Sequence, residues 1–410
     1  MKIGIIGAGL AGLTAAIELA ERGFEVDVYY VDNPTYSNSY KLQAGIAMPL
    51  TPNDSPEIHI RDTLSVGRYL NDTERVWFTV SKATEVYEFL RGLGINFESV
   101  ELEGGHNIPR TFSIKGLTGK YIMDKLYVQA KERYVNFVRS RVLSLIISGN
   151  TCIGFIDEKG EHHYYDVVII ASGGYTALYK YFTGCDHSLG LLIGDYILHG
   201  GTAMDLKFIQ FHPTAFISSD GNVVLITEAV RGRGARIIDE KGHRFVNELA
   251  PRDVLSIEIY KRIRNGEKVY LDLRGLNDLD RKFPHLYKAL LQVGINPLKD
   301  VIPLSPAAHY SIGGIAIDIY YRTEIRNLYA IGEVAATGMH GANRLAGNSG
   351  LECIASGLEV VRTIIRDNPR AERRSNANAF YDPDIDMYGL KELREIMWRY
   401  VGIMLSLIHI

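Results

Sequence analysis

The sequence predicts an α/β fold in three parts: a Rossmann-like domain that starts at the first residue, a second, α+β domain inserted into it, and a short C-terminal helical segment. Three observations predict it. The first 31 residues read as strand, glycine turn, helix and strand, a βαβ unit that begins a parallel sheet. From about 200 to 300 the texture changes to many charges and short strands among helices, and the opening texture then returns at 313–333 (GGIAIDIYYRTEIRNLYAIGE). A chain of 410 residues is also long for a single core. The expected parts are 1–199 and 301–366 for the first domain, 200–300 for the inserted domain, and 367–410 for a linker and the start of a helical domain.

In order, residues 2–6 are a short apolar strand, 13–22 a helix and 24–31 (FEVDVYYV) an alternating strand. Glu18, Glu21 and Arg22 give the helix a polar face, which argues against a signal peptide, and no apolar run approaches the roughly 20 residues needed to span a bilayer. Residues 33–56 form a long polar connection, a kind of segment that is more often functional than filler. Helical patterns follow at 57–70, 73–93 and 120–135, and strands at 142–147, 151–156 and 163–171 with a hairpin at DEKGEHH. After the inserted domain, 351–366 is helical, 367–384 a polar linker and 388–406 a final helix.

A net charge of -3 gives no general attraction to nucleic acid or anionic lipid. Cys152, Cys185 and Cys353 are odd in number and far apart, so neither a disulfide framework nor a cysteine zinc site is expected, and a reducing cytoplasm is. His59, His162, His163 and His187 read as core or surface residues, with the His162–His163 pair beside the hairpin turn rather than on a metal. Arg231 and Arg233 read either as an anion patch or as a solvated or salt-bridged stretch.

Gly7, Gly9 and Gly12 form GxGxxG between a strand and a helix. Gly7 permits the turn, Gly9 admits a pyrophosphate to the backbone amides beside Leu10 and Ala11, and Gly12 lets helix and strand pack closely. The acidic residue expected at the end of the second strand is replaced by Tyr30, leaving Asp32 as the ribose candidate. FAD is favoured over NAD because two later strands also end in small residues, DVVIIASGGYTALY (Ala171, Ser172, Gly173) and LYAIGEVAATG, and an extended flavin dinucleotide needs several such backbone approaches. An NAD-binding dehydrogenase explains only the first motif.

The segments LQAGIA (42–47), EGGHNIPR (103–110), FIQFHPTA (208–215), LITEAVRGRGA (225–235), APRDV (250–254), PAAHYSIGGI (306–315) and IGEVAATGMHGANRLAGNSGLE (331–352) resemble, in the same order, the flavoprotein family of succinate dehydrogenase, fumarate reductase and L-aspartate oxidase. The resemblance implies a Rossmann-like FAD-binding domain, an inserted cap and a dicarboxylate site between them. Within the family, EGGH looks most like L-aspartate oxidase, which puts Glu103 near the substrate amine. The resemblance also implies FAD contacts from Gln43, Ala44, Gly45, Glu333, Asn348, Ser349 and Leu351. The respiratory members hold FAD covalently through a histidine five residues before the glutamine; that position is Asn38 here, so FAD is expected to be non-covalent.

The glycine-rich 335–353 stretch would let backbone lie against the flavin, with the following helix directing its positive end at it. By resemblance His212 and Thr227 surround one substrate carboxylate and His309 and Arg344 the other, where the planar fork of Arg344 suits a bidentate pair. Arg252 matches the arginine regarded in the family as an acid/base, although a permanently protonated guanidinium is better suited to an electrostatic clamp. The implied reaction is FAD-dependent oxidation of L-aspartate to iminoaspartate, with oxygen or fumarate as acceptor, the first step of de novo NAD (quinolinate) biosynthesis. A quinolinate synthase is the implied partner. The rival readings are a soluble fumarate reductase or succinate dehydrogenase flavoprotein, and a non-enzymatic FAD-bearing scaffold. Family members continue into a longer helical domain after a segment like MWRYVGI, whereas this chain ends at LSLIHI; a truncated or replaced helical domain is therefore expected.

Overall fold

The computed structural model describes residues 1–114, 118–370, 377–382 and 387–403. A five-stranded parallel sheet runs in the order Leu328–Ala330, Val167–Ile170, Lys2–Ile6, Glu25–Tyr30, Asn136–Arg139. The opening strand takes the centre because it is apolar on both faces, with Ile3, Ile5 and Ile6 all buried, the pattern of a parallel strand covered on both sides. Helix Leu10–Glu21 buries Leu13, Ala15, Ala16, Ile17 and Leu19, and it packs against the long helix Asn348–Asp367. Gly357 makes that contact close: a Cβ there would lie 2.8 Å from the Ala11 carbonyl oxygen. Each large aliphatic side chain buried in this way stabilises the fold by about 1.5–3 kcal/mol relative to leaving it exposed.

Several elements differ from their sequence expectation for local reasons. The 73–93 pattern is two helices, Thr73–Ser81 and Ala83–Gly92, broken at Lys82. The 163–171 strand is two strands in different sheets. His162–Tyr164 completes an antiparallel sheet with Val142–Ser148 and Thr151–Asp157, while Val167–Ile170 enters the central one, and the change of partner occurs where Asp166 accepts the backbone N–H of Lys2. The hairpin between Asp157 and His162 is present. Helix Asn348–Asp367 starts three residues before the predicted 351. The last helix is Met387–Ile396, followed by a wider turn at Met397–Val401; the end of the predicted 388–406 helix and parts of the predicted linker lie outside the described residues.

A separate apolar core, including Ile226, Val230, Ile237, Leu255, Ile259, Leu271 and Leu290, forms within the region predicted to be the cap, and Ile302, just past its predicted end, joins it. It joins the rest of the molecule through the antiparallel strands Ile209–Ile217 and Ser305–Ser311, whose pairing is interrupted by bulges between Gln210 and Phe211 and between His212 and Ala215. Arg68, in the left-handed region at φ 60°, adds an ion pair across the same junction to Asp253 in the first turn of helix Arg252–Arg264. Among the described residues, no helix is long and apolar enough to cross a membrane.

Candidate active site

Two cavities share Leu10, Asn38, Ser39, Glu333 and Cys353 as walls and so form one trough. Its first half runs over the glycine turn (Gly7, Gly9, Leu10, Ala11), past Tyr30, Val31 and Asn33, and along Ala171, Ser172 and Gly173. Gly7 sits at φ +118°, and a Cβ there would fall 2.2 Å from the Ala171 carbonyl oxygen. Gly7→Ala is therefore expected to destabilise the fold by about 1–3 kcal/mol and abolish flavin retention, as read by thermal unfolding and by the 450 nm absorbance of the purified protein. Gly12 lies off the trough; its Cβ would meet the Gly7 carbonyl oxygen at 2.0 Å, so its part is close packing of helix on turn.

Helices Leu10–Glu21 and Asn348–Asp367 start from Gly9 and Gly347, which have no side chain of their own to cap them. Both starts line the trough, leaving N–H donors and the positive ends of the helices for an anionic or electron-rich guest. Ser39 meets one of these donors, the Leu10 N–H, at 3.1 Å. An elongated trough with a glycine cradle and two uncapped helix starts fits an extended flavin dinucleotide. Asn38 lines both halves, with its Oδ1 accepting the Cys185 N–H at 2.8 Å, and its amide has no atom suited to a covalent flavin bond.

Besides Gly12, four predicted cofactor residues are placed elsewhere. Asp32 is absent from the lining, its side chain 59% exposed, because the chain turns Val31 and Asn33 inward on either side of it. Gly45 lies behind the wall, where a Cβ would sit 2.1 Å from the Phe112 carbonyl oxygen. Asn348 is buried, bonded to His59 Nε2 at 2.7 Å and to Thr63 Oγ1 at 3.0 Å, and Leu351 belongs to the core. Of the histidines read as core or surface residues, His59 is a buried core residue that braces the start of the long helix, whereas His187 lines the first cavity. Gln43, Ala44, Glu333 and Ser349 line the second half.

That second half gathers Glu103, His212, Thr227, Arg252, His309 and Arg344, all six predicted catalytic residues. His212 and His309 project from the paired strands with ring centroids 5.2 Å apart. Burial, and then the charge of Arg252, hold both imidazoles well below their ordinary value, so they are neutral. His212 Nδ1 accepts the Thr214 N–H at 3.3 Å, which leaves a proton on Nε2 to donate. His309 is held by Thr183 Oγ1 at 2.7 Å.

Sequence reasoning missed Gln210, Glu228 and Tyr310. Gln210 Oε1 accepts from Arg252 Nη1 at 2.9 Å and from Arg344 Nη2 at 3.1 Å, while its Nε2 donates to the Arg344 carbonyl at 2.7 Å. Its position two before His212 on one strand, the spacing that repeats a strand face, was the available signal. Arg344 also bonds Ser349 Oγ at 3.0 Å and lies 4.4 Å from the centre of the Tyr310 ring. Glu228 pairs with Arg252 at 2.6 Å and Arg231 at 3.0 Å. Burial alone would raise the Glu228 carboxyl, but these two guanidiniums outweigh it and hold it down to about 2. Arg231 is thus the salt-bridged alternative of the sequence reading. Among the described residues Glu103 has no such partner, and burial, reinforced by the Glu228 charge, raises it to about 7. Three guanidiniums against one firmly ionised carboxylate leave a positive excess suited to a dianion.

Residues 3–349 match the FAD binding domain family. The L-aspartate oxidase of Pyrococcus furiosus is 51% identical over 403 residues, covering 98% of this chain and 85% of that protein. The chain belongs to the L-aspartate oxidase family. The Saccharolobus solfataricus L-aspartate oxidase is 36% identical over 416 residues, covering 97% of this chain and 85% of that protein. Among solved structures, E. coli quinol fumarate reductase superposes with a TM-score of 0.85 at 27% identity, covering 92% of this chain and 72% of that one. Membership of the L-aspartate oxidase family makes FAD the cofactor of the trough and sets aside the NAD-dependent and non-enzymatic readings.

Proposed function

We propose that the protein oxidises L-aspartate to iminoaspartate, with Glu103, His212, Thr227, Arg252, His309 and Arg344 forming the substrate site. The observation that carries the reading is one cavity holding two guanidiniums on a shared glutamine, two neutral histidines and, in Glu103, a carboxyl group with no ion-pair partner among the described residues. FAD, when bound, supplies the two-electron acceptor. Arg344 and His309 take one carboxylate of the substrate, and His212 through Nε2–H and Thr227 take the other. Arg252, fixed by Glu228 and Gln210, stays charged and screens the dianion. An ammonium must lose a proton before its α-carbon can release a hydride, and Glu103, with a value near 7, is matched to accept it. Fixing both carboxylates restricts the α-carbon to one orientation, an effect that supplies several kcal/mol of the barrier.

The same reading makes this the first step of de novo NAD biosynthesis in the cytoplasm, with oxygen or fumarate as terminal acceptor and a quinolinate synthase consuming the product. The three free cysteines suit a reducing compartment. The structural likeness to fumarate reductase supports a second reading, a soluble flavoprotein acting on succinate and fumarate, which needs the carboxylate clamps but no amine contact. Anaerobic mixing of the FAD-loaded protein with either substrate separates the two. L-aspartate is expected to bleach the flavin absorbance and succinate to leave it unchanged; bleaching by succinate alone would establish the second reading.

A further inference from the structure

The 103–106 loop that carries Glu103 is tightly made. The His106 N–H closes on the Glu103 carbonyl at 3.2 Å, and Gly105 takes φ +86° at a point where a Cβ would lie 2.9 Å from Leu345 Cδ1. Behind it stands a fully buried ionic cluster. Arg110 is gripped bidentately by Asp54 at 2.7 and 2.9 Å, binds Asp62 at 2.6 Å, and donates from Nη1 to His106 Nδ1 at 2.9 Å. Asp62 also accepts the backbone N–H of Asn107 at 3.0 Å, so the cluster holds the chain on the far side of His106 as well.

Arginine can only donate, so His106 Nδ1 must be an acceptor and the imidazole proton must be on Nε2. That nitrogen reaches the Ala346 carbonyl oxygen at 2.8 Å, and a carbonyl can only accept. Both ends therefore specify the same tautomer. Burial and the Arg110 charge hold the ring neutral, with its value lowered to about 4. Ala346 is two residues beyond Arg344 in the segment that also lines the cavity.

The geometry points to His106 as a positioning residue that fixes Glu103 relative to Arg344, so that the site gauges the spacing between the amine and a carboxylate of its substrate. This rests on the reading of Glu103 given above. A substrate without an amine uses the carboxylate clamps alone and is indifferent to where the loop sits. Amino dicarboxylates are thus selected over plain ones by a residue that touches neither.

The experiment compares His106→Ala and His106→Gln with the wild type, each loaded with FAD and checked by flavin absorbance. Steady-state L-aspartate oxidation is measured beside fumarate reduction with a reduced dye as donor. The alanine variant is expected to lose about tenfold or more in kcat/KM for L-aspartate and less than about threefold for fumarate. Glutamine, whose amide oxygen can accept from Arg110 and whose NH2 can donate to Ala346, is expected to restore most of the loss. Equal losses on both substrates, no loss on L-aspartate, or failure of glutamine to restore activity would overturn the inference. If the alanine variant does not hold flavin, His106→Asn replaces it; one carbon shorter than glutamine, it can meet only one partner, and an aspartate-to-fumarate ratio equal to that of His106→Gln would overturn the inference. A wild type that turns over fumarate but not L-aspartate would instead overturn the functional reading, and this inference with it.

Discussion

Arg344→Lys is expected to lower kcat/KM for L-aspartate by about 10²- to 10³-fold with flavin content unchanged. The guanidinium is held on three sides, by Gln210, by Ser349 and by the face of Tyr310. Burial, then repulsion from Arg252, lowers it to about 10, which still leaves it charged at neutral pH. A lysine ammonium is a point charge that can neither bridge Gln210 and Ser349 together nor meet a carboxylate with two parallel bonds, and desolvation weakens its own charge more readily. The measurement is initial-rate kinetics on matched flavin concentrations. A loss of less than about tenfold would show that the fork does not contact the substrate.

Glu103→Gln carries the second large effect: a loss of about 10²-fold for L-aspartate, with fumarate reduction preserved or improved because a negative group beside a dianion has been removed. The pH profile gives an independent check. Glu103 is raised to about 7, so below that pH it is protonated and cannot take the ammonium proton. In the wild type kcat/KM should fall by about tenfold per unit on the acid side of 7 and level off above it. His212 and His309 lie well below the ordinary histidine range, and Glu228 is ionised from about 2 upward, so none of them titrates in that window; Glu333, raised to about 7 by burial, is the other carboxyl of the cavity that does. The acid limb should disappear in Glu103→Gln. Its persistence there would assign the titration to another group.

The residues legible in the sequence were those whose chemistry is stated locally. The glycine turn at Gly7 and Gly9 announces itself because few other sequences tolerate that path, and His212, His309, Arg252 and Arg344 stand inside short motifs that carry their own context. What escaped was relational. Glu228 in LITEAVRGRGA looks like one charge among several until folding puts it between Arg231 and Arg252. Gln210 is connected to Arg344 across 134 positions, a pairing that only the fold creates. Asp32 failed for the opposite reason: a reasonable side chain at a reasonable spacing, turned outward by its neighbours. The helix start at 348 was missed because Asn348, Ser349 and Gly350 read as loop residues, yet Gly347, in the left-handed region at φ 76°, already ends the loop there.

The strands Ile209–Ile217 and Ser305–Ser311 leave the site and return to it, and between Arg252 and His309 no residue lines the trough. The more than fifty residues enclosed there, including Val269–Asp272 and Pro284–Gln292, are answerable to their own core and not to the reaction. Substitutions confined to that core should therefore move stability more than turnover. The roots of the insertion are tethered to chemistry, whereas its outer portion can drift, lengthen or acquire new surface so long as it continues to deliver one arginine at the base of one helix.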